Sequence, residues 1–148
     1  MKDWEIHIQD FKNYLKLEKS LSFNSIEAYA HDIKKLSSFI EMHELNISPE
    51  ETKIELIRDF LYWLNMMGIG ERSQARIISG IKSFFSYLWL ENTISNDPTD
   101  LIETPRIGKK LPEVLSVEEI DILISSIDLS SAEGQRNKAI LETLYSCG

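Results

Sequence analysis

Along most of the chain, apolar side chains recur at intervals of three and four, the spacing of one helix face, and the chain reads as helices throughout. Trp4, Ile8, Phe11 and Leu15 predict a first helix from about Asp3 to Glu18, with Lys12, Lys16 and Lys19 on or near its outer side. After the turn Ser20-Leu21-Ser22, either Ser22 or Asn24 caps a second helix, and Glu27 stands at capping-box spacing from Asn24. Ile26, Tyr29, Ile33, Leu36 and Ile40 line its buried side, and Asn24, Ser25, Ala28, His31, Asp32 and Lys35 the other. Ser48-Pro49-Glu50-Glu51 carries a cap, a proline suited to a first helical position, and carboxylates that favour the positive helix end. The third helix so begun continues through Ile54, Ile57, Phe60, Leu61 and Leu64, and Gly68-Ile69-Gly70 ends it. Asn96-Asp97-Pro98 starts a single short helical turn, a short fifth helix.

Between these last two lies Glu71 to Leu90, which divides into two faces at about 100° per residue. Ile77, Ile78, Ile81, Phe84, Phe85 and Leu88 share one arc. Arg72, Ser73, Arg76, Ser79, Lys82, Ser83 and Ser86 fill the opposite one, which holds no carboxylate. Such a face is either plain solvated surface or a donor surface for phosphate, since Arg, Lys and Ser donate hydrogen bonds that Asp and Glu cannot.

Beyond it the pattern breaks. Glu103 to Pro112, ETPRIGKKLP, combines two prolines, a glycine and three cations with little apolar content, as an extended linker does. The domains are therefore expected at 1–102 and 113–148, joined by 103–112. Leu115-Ser116-Val117-Glu118-Glu119 opens a new capped helix to about Ile127, Ser130 to Gly134 is a loop, and Arg136 to Cys147 is another helix. Two helices in under 40 residues enclose no core of their own, and the second domain reads as cut off at Gly148. The apolar side of 136–147 is expected to dock on the first domain, swap into a neighbour, or lack order.

Composition narrows the class. The 148 residues are 43% hydrophobic and 27% charged, as in globular proteins, and no apolar run reaches membrane-spanning length, so no membrane is expected as partner. The N-terminus MKDWEIHIQDF has no signal-peptide pattern, and one cysteine permits no internal disulfide; both suit a cytoplasmic protein. A net charge of −8 argues against indiscriminate nucleic-acid binding, but its distribution is uneven. Residues 1–71 and 111–148 each carry a net −5, and residues 72–110 carry +2. The middle third is the only positive part.

Catalytic constellations are missing. His7, His31 and His43 sit on different turns without metal-ligand spacing, no glycine-rich phosphate loop is present, and no metal or cofactor is expected. Cys147 has no base partner and reads as a small core residue. Tyr14, Tyr29, Tyr62, Tyr87 and Tyr145 all lie in amphipathic helices, where packing is the ordinary role. Glu50-Glu51 and Glu118-Glu119 stand in first helical turns as dipole partners.

Several stretches, in order, resemble the tyrosine site-specific recombinases, particularly the Xer type. Leu21-Ser22-Phe23-Asn24-Ser25, followed by Tyr29 and Asp32, is similar to the L-S-x-N-T-x-x-x-Y-x-x-D-L signature of that family's core-binding domain. Ser73 to Phe85 resembles its fourth helix. Asn96-Asp97-Pro98-Thr99, Pro105-Arg106-Ile107 and Lys110 to Ser116 resemble its interdomain connection, and Arg136 to Gly148 the segment before its first catalytic arginine. Serine at 25 replaces the commoner threonine. Gly80 stands where alanine is usual, and either lets the backbone approach DNA or slackens the helix.

The resemblance implies an all-α fold: a four-helix core-binding (SAM-like) orthogonal bundle with a short fifth helix, then the helical start of a catalytic domain. It also implies double-stranded DNA as partner, held in a clamp of two domains, and other recombinase subunits in a tetramer on DNA. The family's chemistry uses a tyrosine nucleophile that forms a 3′-phosphotyrosyl bond, arginines that stabilise the pentavalent phosphate, and no nucleotide or other cofactor. No tyrosine here matches the nucleophile's motif and the first catalytic arginine would follow Gly148, so no catalytic residue is assigned and these 148 residues are expected to be inactive alone. DNA contact is carried over to Asn24, Ser25, Arg72, Ser73, Arg76, Ser79, Lys82 and Ser83, and to Lys109 and Lys110 in the linker. Because the chain begins almost at the core-binding helix, a resolvase of chromosome dimers is favoured over a mobile-element integrase. The competing reading is a helical protein-interaction module without DNA affinity, detectable as a stable dimer.

Overall fold

The structure, a computed structural model, describes residues 2–105 and 114–147. It is helical, with no strand among the described residues. The elements are α1 (Lys2–Leu17), α2 (Phe23–Met42), α3 (Ile54–Met66), α4 (Glu71–Leu90), α5 (Val117–Ser125) and α6 (Ala132–Cys147). The chain divides into two compact units, Met1–Gly108 and Lys109–Gly148.

In the first unit α4 supplies the largest share of the core, because its apolar arc is continuous over its length. Ile77, Ile78, Ile81, Phe84, Phe85 and Leu88 are all buried. Phe84, fully buried, lies 5.5 Å from the Phe11 ring and 6.0 Å from that of Trp4, which ties α4 to α1. Burying one such ring contributes about 1.5–3 kcal/mol. Phe39 of α2 meets Phe60 and Trp63 of α3, each at 5.5 Å, so the third helix is anchored on the end of the second. Trp4 also donates its indole N–H to the Ile47 carbonyl at 2.9 Å, fastening the α2–α3 connection to α1.

Helix ends follow from local chemistry. Ser22 caps α2, its hydroxyl accepting from the Ser25 N–H at 3.3 Å, while Glu27 ion-pairs with Lys12 instead of closing a box with Asn24. At the end of α4, Asn92 takes a left-handed conformation (φ 56°), and the N–H groups of Asn92 and Thr93 close on the carbonyls of Trp89 and Leu88. This satisfies carbonyls the helix would otherwise leave open. Gly68 (φ 74°) does the same for α3, as the glycine pair predicts.

Several expectations need correction. The Ser48-Pro49-Glu50-Glu51 signal makes a turn, and α3 begins only at Ile54. Thr52 is buried there with its hydroxyl on the Ser48 carbonyl, and Lys53 is extended. Glu50 pairs with His7 at 2.7 Å, not with a helix end. The short fifth helix is a set of turns, because Asp97 Oδ1 accepts from both the N–H (2.8 Å) and the hydroxyl (2.6 Å) of buried Thr99 and holds the chain there.

The second unit is a pair of helices. Ser116 caps α5 as expected, and Glu119 reaches back to the Ser116 N–H to complete a capping box. α6 starts at Ala132, earlier than predicted, inside the stretch read as a loop. Gly134 is buried where a Cβ would fall 1.8 Å from the Asp128 carbonyl oxygen. α5 buries no residue and α6 only Gly134, as expected of two helices without a core. The 136–147 segment is helical, and Ile140, Leu144 and Tyr145 are exposed. Cys147, read from the sequence as a small core residue, is exposed. No helix among the described residues is long and apolar enough to cross a membrane.

Candidate nucleic-acid interface

Burying the apolar arc of α4 turns its polar arc outward. Arg72, Ser73, Arg76 and Ser79 are exposed, and Lys82 and Ser83 half-buried. Among the described residues neither Arg72 nor Lys82 lies within ion-pair distance of a carboxylate, so the guanidinium of one and the ammonium of the other are available to an anion. At the start of α2, Asn24 is exposed, whereas Ser25 is half-buried with its hydroxyl 3.0 Å from that of Ser22.

The fold brings part of this set together. Asn24, Glu27, Ala28, His31 and Lys34 of α2 and Arg76 of α4 line one shallow depression. Ser83 and Ser86 face another groove, which they line with Tyr14, Tyr29, Tyr87 and Trp89. Lys109 and Lys110 lie outside the described residues.

Arg76 is not the free cation that its helix face suggests. Its Nη2 donates to Asp32 Oδ1 at 2.7 Å, and Lys35 Nζ stands 3.7 Å from the same oxygen. The Asp32 side chain is 1% exposed and that of Arg76 53%, so the carboxylate is inside and the guanidinium straddles the surface. Asp32, read from the sequence as part of α2's outer face, is thus a buried charge at the α2–α4 contact. Burial pushes its carboxyl above the usual 3.8, opposed by the positive charges of Arg76, Lys35 and His31.

Gly80 explains how the carboxylate fits. A Cβ there would lie 2.9 Å from Asp32 Oδ2 and 3.0 Å from Asp32 Cβ. Gly80 is buried against α2, so its missing side chain seats Asp32 and does not open the backbone to a ligand. A second acid also reaches the arc from outside the helix: Ser86 donates to Asp97 Oδ2 at 3.1 Å. Sequence reasoning passed over His31, Lys34 and the inward role of Asp32. The last had a signal, since residue 32 lies three after Tyr29 and four before Leu36, both on the buried side.

Among the described residues no cluster of His, Cys, Asp and Glu could hold a metal ion. What the surface offers chemically is hydrogen-bond donation and positive charge, offset locally by Glu27 in the depression and by Asp97 on Ser86.

The family described as phage integrase, N-terminal SAM-like domain, matches residues 8–92, more than half of the chain. The chain belongs to this family. Curated relatives extend the likeness across the second unit. The tyrosine recombinase XerD of Pseudomonas putida is 38% identical over 141 residues, covering 95% of this chain and 47% of the relative. That of Staphylococcus epidermidis is also 38% identical, with 95% and 48% covered, and that of Oceanobacillus iheyensis 36%, with 97% and 48%. The chain therefore spans about half the length of the curated relatives it matches. No solved structure matches. In this integrase-family chain the matched region runs from within α1 to just past α4, so it includes the whole cationic arc.

Proposed function

We propose that this chain is the DNA-binding part of a tyrosine recombinase and that the outer arc of α4, with the start of α2, lies against duplex DNA. The observation that carries the reading is the outward arc of Arg72, Arg76 and Lys82 with Ser73, Ser79 and Ser83, in a family-matched domain of an otherwise acidic chain. Hydroxyls and cations on one helix face make phosphate contacts that orient a protein on the duplex. Asn24 and Lys34 extend that surface across the depression shared with α2.

In this reading residues 1–102 bind one side of a recombination site, 103–112 carry the chain across it with Lys109 and Lys110 on phosphates, and 113–148 begin the catalytic domain. The whole recombinase, acting with other subunits on DNA in the cytoplasm, exchanges strands through a 3′-phosphotyrosyl bond that conserves the phosphodiester's energy. These 148 residues position DNA.

The test is a fluorescence-anisotropy titration of a labelled duplex at low salt with the chain and its Arg72→Glu/Lys82→Glu variant. These two positions are preferable to Arg76, whose replacement by Glu would set a second carboxylate beside buried Asp32. The variant should bind more weakly, and the slope of log affinity against log salt should fall by about 0.9 for each phosphate that the variant no longer neutralises. Equal affinity and equal slope would remove α4 from the interface.

A further inference from the structure

A buried carboxylate beside a cation meant for phosphate is, on charge alone, a handicap, because it cancels the attraction the cation supplies. The geometry around Asp32 gives it another use. Its Oδ1 takes one N–H of Arg76, and a guanidinium carries five such donors in a planar fork. No other acceptor among the described residues is hydrogen-bonded to Arg76. The remaining donors are therefore unspent on a group that is 53% exposed. The carboxylate itself cannot follow the guanidinium outward. Oδ2 is buried, with no hydrogen-bond partner among the described residues, and is seated over Gly80, where even a methyl group would collide. Lys35 approaches the same Oδ1 from the next turn of α2.

We infer that Asp32 is a positioning residue: fixed by Gly80 and Lys35, it holds the Arg76 guanidinium in one orientation so that its free N–H groups meet a DNA phosphate without first being ordered. This rests on the proposal that the α4 arc faces DNA and adds to it a second layer, supplied by α2. An unheld arginine must lose side-chain freedom on binding, and that ordering weakens association by about two- to tenfold.

Charge and positioning make opposite predictions for Asp32→Asn. Removing a negative charge near the duplex strengthens binding if only charge matters. Loosening the guanidinium weakens it. The experiment measures anisotropy of a short labelled duplex of mixed sequence against the full chain and its Asp32→Asn, Arg76→Ala, doubly substituted and Gly80→Ala forms, over a salt series. Circular dichroism melts check that each is folded. Mixed sequence suffices because phosphate contacts carry no sequence information.

Arg76→Ala should weaken binding and reduce the salt slope by about 0.9. Asp32→Asn should weaken it about two- to tenfold, with the slope unchanged because Arg76 still neutralises its phosphate, and cost nothing further when Arg76 is already alanine. Gly80→Ala, which displaces the carboxylate while leaving both partners in place, should reproduce the weakening. If Arg76→Ala leaves affinity unchanged, Arg76 touches no DNA and the interface reading fails at this residue. If Arg76→Ala weakens binding but Asp32→Asn strengthens it or leaves it alone, Arg76 contacts DNA unaided and the positioning role is overturned. An equal weakening from Asp32→Asn with and without Arg76 overturns it as well, since the effect then passes through the fold.

Discussion

Replacing Gly80 by alanine sets two well-measured effects against each other. In an ordinary helix interior the change stabilises by about 1 kcal/mol through helix propensity. Here the new Cβ would fall 2.9 Å from Asp32 Oδ2, 3.0 Å from its Cβ and 3.3 Å from its Cγ, all inside the 3.4 Å at which ordinary contact begins. Asp32 has little room to give: its carboxylate is buried and bonded to Arg76 at 2.7 Å, so retreat lengthens the ion pair or parts the helices. Overpacking of this kind costs about 1–3 kcal/mol. Net destabilisation of about 1 kcal/mol is expected for Gly80→Ala, the difference between those two magnitudes. In an Asp32→Ala background two of the three close atoms are gone, and the same substitution should become neutral or stabilising. The coupling between the sites should be about 1–2 kcal/mol. Urea unfolding followed by tryptophan fluorescence measures all four proteins, with equal m-values required for the comparison. If Gly80→Ala changes stability equally in both backgrounds, to within about 0.3 kcal/mol, α2 and α4 do not meet as described.

Three further results are expected. Because the folded-state pKa of Asp32 is raised, the stability associated with its protonated form is present below the ordinary value of 3.8 and lost as pH rises through the raised one. The stability of Asp32→Asn relative to wild type should therefore increase with pH in urea melts across about pH 3 to 7, and a flat or falling difference would contradict the burial of an ionised group beside Arg76, Lys35 and His31. Trp4→Phe keeps the ring stacked on Phe84 but removes the bond to the Ile47 carbonyl; it should cost about 1 kcal/mol in the same assay, and no cost would mean that water replaces the indole there. Phe84→Ala should cost about 3–5 kcal/mol, as it empties the space between Trp4, Phe11 and Phe85.

How much of this was legible in the sequence depends on whether the deciding partner lay nearby in the chain. The inner face of α4 was legible, because periodicity within one helix reports which side is apolar, and Ile77 through Leu88 are buried as the spacing requires. So were the capped start of α5 at Ser116 and the Gly68 stop, whose partners are three to five residues away. The absence of acid from the α4 arc was true of the helix and not of the surface: Asp32 and Asp97 arrive from elsewhere in the chain, 44 and 11 residues from the side chains they meet. The start of α3 was misplaced for a like reason, since Thr52 is buried by the tertiary fold and its hydroxyl closes on Ser48, a turn that local signals alone read as a first helical turn. Family membership came from the order of several weak motifs, none of which has a physical signature strong enough to stand alone.

The central claim is that the outer arc of α4 holds duplex DNA through charge and donated hydrogen bonds. Its most direct measurement is the salt dependence of duplex binding by the chain and by Arg72→Glu/Lys82→Glu, two residues that have no carboxylate partner among the described residues. A linear fall of log affinity with log salt is expected, shallower in the variant by up to about 1.8 if two phosphates go unneutralised. Coincident lines for the two proteins, or a chain that dimerises and binds no duplex at low salt, would contradict the claim.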